Sequence, residues 1–187
     1  MNFFIIVNLY KSTFIKKLTL HLIYLCIEQV QNMKTLIMLS AFPASGKSTW
    51  ANAYKKTHKN VIILNSDDIR MEITHGDYQD HSHQKEVWEL YEKRIHEYAK
   101  EDDVTVILDA LNDTNEVRMK YLASTPEYDK KVLVMFPSSR ARSEKYNGLR
   151  EVEVRVPDFI LDGLINKFEE PNEDVFSEID ELRYVYW

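Results

Sequence analysis

Gly46, Lys47, Ser48 and Thr49 stand together between an aliphatic run, Thr35–Ser40, and a stretch with helical spacing. The whole turn reads Phe42-Pro43-Ala44-Ser45-Gly46-Lys47-Ser48-Thr49. A strand, a tight turn and a helix start in this order aim successive backbone N–H groups at one point and add the positive end of the helix. A lysine directly after the glycine reaches the outer phosphates of a triphosphate, and the next hydroxyl is placed to bind Mg²⁺. Ala44, Ser45, Gly46, Lys47, Ser48 and Thr49 are therefore expected to hold ATP, with Ser48 on the metal. The general pattern has glycine where this chain has Ala41. A methyl group is tolerated there only if the backbone stays out of the left-handed region.

Three further segments supply polar groups at the ends of apolar runs. Asn65-Ser66-Asp67-Asp68-Ile69-Arg70 follows Val61–Leu64. The Asp67 carboxylate either accepts a proton from an attacking hydroxyl or caps the next helix. Arg70 lies one helical turn on and could hold an acceptor phosphate. Asp109-Ala110-Leu111-Asn112-Asp113-Thr114 follows Val104–Leu108, and an aspartate so placed is expected in the Mg²⁺ shell. Asp113 or Thr114 suits the cap of a helix starting at Asn115. After Val132–Phe136 come Arg140, Arg142, Arg150 and Arg155, a spacing that suggests a lid whose arginine neutralises charge on a transferred phosphoryl group. Arg140 and Arg155 read better as a solvated face paired with Glu144, Glu151 and Glu153.

The elements that must position these groups follow from periodicity. Near-continuous β-branched and aliphatic runs of four to six residues suit strands covered on both faces. Val87, Tyr91, Ile95 and Tyr98 draw one stripe on a helix, and Pro157 suits the first turn of a helix through Phe159, Ile160, Leu164 and Phe168. The expected fold is α/β: a P-loop NTPase with a parallel sheet of four to five strands, helices on both faces and an arginine-bearing helical lid. The acidic stretch from Glu169 to Arg183 reads as a solvated edge, with Val185, Tyr186 and Trp187 capping the sheet or fraying. Trp50 and Trp88 fall at core positions, and His81-Ser82-His83 reads as a polar loop in preference to a metal site.

The chain has 187 residues, enough for one domain, and a net charge of −6 that argues against a general nucleic-acid coat. Cys26 is its only cysteine, which excludes a disulfide framework and suits a reducing, cytoplasmic compartment. Residues 1–32 carry Lys11, Lys16 and Lys17 against Glu28 alone, and the apolar run Leu18–Ile27 is too short to span a bilayer. They are expected to be an extension outside the domain, which then covers residues 33–187. No membrane association and no protein partner is expected.

From Met33 to Pro171 the chain resembles small P-loop kinases of the phage polynucleotide 5′-hydroxyl kinase type. The resemblance rests on Pro43–Ala51, on Asn65–Arg70, on Asp109-Ala110-Leu111-Asn112 with Arg118, and on Asn147-Gly148-Leu149-Arg150 with Val156-Pro157. It implies Asp67 as general base, Lys47 and Arg150 as catalytic cations, Arg70 and Asn112 as acceptor contacts, and Ser48 with Asp109 at Mg²⁺. The implied reaction moves the γ-phosphoryl group of ATP to a polynucleotide 5′ end. A small-molecule or sugar-nucleotide acceptor, and an ATP-binding switch that is not a kinase, are the alternatives.

Overall fold

The computed structural model describes residues 17–20, 33–77 and 80–186. The chain divides into two units, Met1–Met33 and Lys34–Trp187. Of the first, one helical turn at 17–20 is described; the remaining expectations for residues 1–32, and that for Trp187, lie outside the described residues.

The second unit is built on five parallel strands: β1 Thr35–Ser40, β2 Val61–Asn65, β3 Thr105–Asp109, β4 Lys130–Met135 and β5 Glu181–Tyr184. Their order across the sheet is β2-β3-β1-β4-β5. Successive side chains of a strand point to opposite faces. Leu36 and Met38 of β1 accordingly enter one core with Val106 and Leu108, while Ile37 and Leu39 enter a second with Ile107 and Val134. Both faces are covered, which is why these strands read as unbroken apolar runs. Helix α1, Lys47–Thr57, brings Ala51 and the half-buried Trp50 and Tyr54 to the second core. The first core receives Ile69 from α2 (Ser66–Ile73), Val87, Tyr91 and Ile95 from α3 (Gln84–Tyr98), and Tyr121 and Leu122 from α4 (Asn115–Ala123).

The acidic stretch departs from expectation. It is no loose edge: α7, Glu173–Ser177, buries Val175 in the first core, and β5 adds the fifth strand. Acidic composition masked an element held by single buried side chains. The lid comprises α5, Arg140–Gly148, a 3-10 turn at Val152–Val154, and α6, Asp158–Asn166. Pro157 sits just ahead of α6 as its cap residue, and the buried side chain is Leu161, whereas Phe159 is 78% exposed. The helix also ends at Asn166, short of the Phe168 expected in it.

One buried side chain joins the loops at the carboxyl ends of β1 and β3. Arg118 of α4 is fully buried. Its Nη2 donates to Ser40 Oγ at 3.0 Å, to the Asp113 carbonyl at 3.3 Å and to the Glu169 carbonyl at 2.6 Å. Its Nε donates to the Asn112 carbonyl at 3.0 Å and its Nη1 to Asn115 Oδ1 at 2.9 Å. Phe168 covers the guanidinium at 5.2 Å and meets Phe42 edge-on at 5.0 Å. Replacing Arg118 by Leu removes every one of these charge-assisted hydrogen bonds and takes the donor from the Glu169 carbonyl, and is expected to cost about 3–5 kcal/mol. A lysine cannot reproduce the planar fork and should rescue little. Urea denaturation measures this; a loss well under about 1 kcal/mol would remove Arg118 as the tie between these loops.

Candidate active site

Ligands of open parallel sheets bind beyond the carboxyl ends of the strands, where the strand order reverses. Here that point is β1, flanked by β3 and β4. The chain leaves β1 through Ala41, which is buried in the second core and has an ordinary backbone. Its methyl group therefore strains nothing. The left-handed positions of the loop are Ala44, at φ 57°, and Gly46, at φ 94°. Gly46 caps α1 without a side chain, so the first N–H groups of the helix are left for an anion. Ser45 is buried, and its Oγ has no hydrogen-bond partner among the described residues.

Lys47 Nζ rests on the Phe42 carbonyl at 3.3 Å. Burial lowers its pKa from 10.5 to about 8; Asp109, Asp67 and Asp113 oppose the shift, and Arg150 adds to it. Four of the expected groups, Lys47, Asp67, Asp109 and Arg150, thus act on, or are, a single cation. The Asp109 carboxylate has its pKa raised, first by burial, against hydrogen bonds from Ser48 and Asn65. Asn65 and Asp109 are register partners on β2 and β3, which explains the Asn65 Nδ2 to Asp109 Oδ2 bond of 3.0 Å. A serine hydroxyl beside a carboxylate is a hard oxygen pair suited to Mg²⁺.

Asn65 also settles which residue caps α2: its Oδ1 accepts from Asp67 N at 2.7 Å. The Asp67 carboxylate is not the cap. It accepts a hydrogen bond from Arg70 Nη1 at 2.6 Å, and its side chain is 45% exposed against 8% for Arg70. Arg70 thus faces inward onto Asp67, with a buried Nε that has no partner among the described residues. This orients the carboxylate and leaves little guanidinium surface for an acceptor. Asn112 is also turned inward. Its backbone is left-handed at φ 46°, its Nδ2 donates to the Leu39 carbonyl at 2.7 Å, and its carbonyl accepts from Ser40 Oγ at 2.7 Å. The side chain clamps β1 to the loop after β3, and its buried Oδ1 has no partner among the described residues.

A cleft of about 570 Å³ lies on the lid side of the loop, lined by Ala44–Thr49, Arg142, Tyr146 and Arg150. Ser143 Oγ donates to the Pro43 carbonyl at 2.6 Å and latches α5 to the loop. Asn147 clamps Val156 through both its amide groups, at 2.7 and 3.0 Å, shaping the turn that follows Arg150. Arg140 pairs with Glu144 on the surface, as expected, and also with Asp162. Arg155 donates instead to the Gly148 and Arg150 carbonyls, both at 2.9 Å. Arg142 and Tyr146 were not singled out as site residues, although they stand one turn apart on α5 and Arg150 follows just beyond its end. Thr114 caps α4. His81 and His83 bond to Gln84 and Glu86, and no metal-binding cluster occurs among the described residues. A smaller hollow of about 370 Å³, at Lys55, His58 and Asn60, lies at the opposite ends of the strands.

The profile of a family described as chromatin associated protein KTI12 matches residues 34–177. The chain belongs to the Kti12 family. Protein kti12 of Schizosaccharomyces pombe is 30% identical over 152 residues, covering 73% of the chain and 52% of that protein. The chain thus spans about half the length of this Kti12 relative. Among solved structures, Chaetomium thermophilum Kti12 in complex with ADP-AlF3 superposes with a TM-score of 0.62 at 16% identity, over 81% of this chain and 89% of that one. A fungal RNA kinase gives 0.60 at 14% identity, over 82% and 75% of the two chains. The Pnkp1/Rnl/Hen1 RNA repair complex gives 0.62 at 18%, over 80% and 47%. At these identities the structures establish a shared P-loop kinase-like fold. The resemblance to phage polynucleotide kinases is therefore one of fold and motif, and the family is Kti12. No helix among the described residues is long and apolar enough to cross a membrane.

The Lys47 shift has a sign. Its folded pKa lies below 10.5, so the cost of the buried charge is fully present below about pH 8 and is relieved as the pH rises towards 10.5. Lys47→Met should stabilise the ligand-free fold by roughly 1–3 kcal/mol while abolishing triphosphate binding. In the unsubstituted chain, affinity for a triphosphate should fall as the pH rises above about 8. Thermal denaturation and titration calorimetry read these two effects. Destabilisation by methionine, or affinity that rises with pH, would contradict them.

Proposed function

We propose that the chain binds ATP and transfers its γ-phosphoryl group to a hydroxyl, with the 5′-hydroxyl of a polynucleotide as the leading acceptor. The observation that carries the reading is that Lys47, Ser48 and Arg150 line one cleft at a loop whose N–H groups are uncapped, while Asn65 ties the Asp67 backbone to the Asp109 carboxylate. The ADP complex of the Chaetomium relative supports nucleotide binding. The RNA kinase of the same fold supports the acceptor class.

In this reading the loop and Lys47 hold the β- and γ-phosphates. Asp67, steadied by Arg70, accepts the proton of the attacking hydroxyl. The acceptor oxygen bonds to the γ-phosphorus as the bond to the β-γ bridging oxygen breaks, and ADP leaves. Arg150 neutralises the charge spread over the transferred group. Ser48 and Asp109 would hold Mg²⁺, which when bound supplies charge neutralisation at the phosphate oxygens. A reducing compartment remains the proposal for Cys26, and residues 1–32 are proposed to lie outside the catalytic unit.

One observation favours a second reading, ATP hydrolysis by a nucleotide-dependent switch. Arg70 is buried on Asp67 and offers little to an acceptor phosphate. Water would then take the place of the acceptor hydroxyl, with Asp67 again receiving its proton.

Asp67→Asn should lower the single-turnover rate of ATP consumption about 10²- to 10⁴-fold while leaving the ATP dissociation constant within about threefold. Unchanged turnover would remove Asp67 from the chemistry under either reading.

A further inference from the structure

The proposed reaction gives a task to Lys47, Ser48, Asp67, Asp109 and Arg150 and leaves two side chains of the cleft beside the loop, Arg142 and Tyr146, without one. Tyr146 lines the cleft beside the loop and is 42% exposed. Arg142, one turn earlier on α5, sets its guanidinium carbon 5.2 Å from the ring centre, and Lys145 Nζ lies 5.7 Å from it. An exposed tyrosine on a helix is ordinary. This one stands on a helix that Ser143 fastens to the Pro43 carbonyl at 2.6 Å, so its ring is held at the wall of the cleft.

The phosphates of a nucleotide belong at Ala44–Thr49, where the uncapped N–H groups and Lys47 are. Arg150 is matched to the transferred phosphoryl group. The remaining lining is a phenol ring with a guanidinium over it, which offers flat π surface. Among the described residues the lining contains no carboxylate or carboxamide side chain to read the amino or keto edge of a base. Stacking on an aromatic side chain is tolerant of base identity and contributes roughly five- to a hundredfold in affinity. A cleft of this volume also suits a nucleotide-sized ligand.

Resting on the nucleotide binding proposed above, we infer that Tyr146, backed by Arg142, is the platform on which the base of the bound nucleotide stacks. The site therefore selects purines by stacking area and accepts ATP and GTP alike.

The test is the affinity of the full chain for ATP, GTP, CTP and inorganic tripolyphosphate, each with Mg²⁺, by titration calorimetry. Expected are ATP and GTP within about threefold of each other, CTP weaker by about fivefold or more, and tripolyphosphate weaker still. Tyr146→Ala should weaken ATP and GTP roughly tenfold and leave tripolyphosphate unchanged, whereas Tyr146→Phe keeps the ring and the affinity. The thermal midpoint of each variant distinguishes loss of stacking from loss of fold. A preference for ATP over GTP beyond about thirtyfold points to edge readout and overturns the inference. So does an alanine variant that binds ATP as well as before, or one that loses tripolyphosphate in equal measure. Wild-type binding of tripolyphosphate as tight as that of ATP overturns the base platform and leaves the phosphate loop standing. Binding of neither overturns the nucleotide reading and the platform with it.

Discussion

The buried guanidinium of Arg118 holds the site's two loops at one distance. Through Ser40 it grips the last residue of β1, from which the phosphate-binding loop departs. Through the Asn112 and Asp113 carbonyls it grips the turn after Asp109. Through Glu169 it draws in the segment that leads to α7 and β5. A planar cation with several fixed donors can satisfy carbonyls from three chain segments at once, and a buried one that lost a partner would be costly. Asn112 reinforces this arrangement by bonding its amide to the Leu39 carbonyl.

Within that frame the site is an electrostatic compromise. Lys47 is half-buried in the cleft wall before any phosphate arrives, with the Phe42 carbonyl as its hydrogen-bond acceptor and three carboxylates supporting its charge. Asp109 is likewise disfavoured by burial and partly supported by Ser48 and Asn65. Groups held this way are poised for a ligand of opposite charge: a polyanion relieves the lysine and a divalent cation relieves the carboxylate. The lid enters through Arg150, which adds positive charge to the same point, and the Ser143 latch fixes its near end against the loop. Leu149, Val152 and Phe159 of the lid are exposed.

Much of this was legible in the sequence because it lies where local patterns are strongest. The phosphate loop, the strand ends bearing Asp67 and Asp109, and the Thr114 cap each occupy a few consecutive residues with one dominant constraint. The rest depended on contacts between distant segments. Nothing near Asn112 announces that its amide faces Leu39, or that Arg70 turns onto Asp67 and away from solvent. The order β2-β3-β1-β4-β5 and the inclusion of β5 came from packing, since acidic residues conceal a strand held through its neighbours. Ala41 was the opposite case. The substitution drew attention, and the structure shows that the loop takes its left-handed turns at Ala44 and Gly46, so a methyl group at position 41 is harmless.

The central claim is that this Kti12-family chain moves the terminal phosphoryl group of ATP, with Asp67 accepting the proton of the attacking oxygen. The most direct measurement follows a γ-phosphate label when the chain is given ATP, Mg²⁺ and a 5′-hydroxyl oligonucleotide. The account predicts label on the oligonucleotide, or on inorganic phosphate if water is the acceptor, in either case dependent on Lys47. ATP that binds in the cleft and stays intact under both conditions would contradict it.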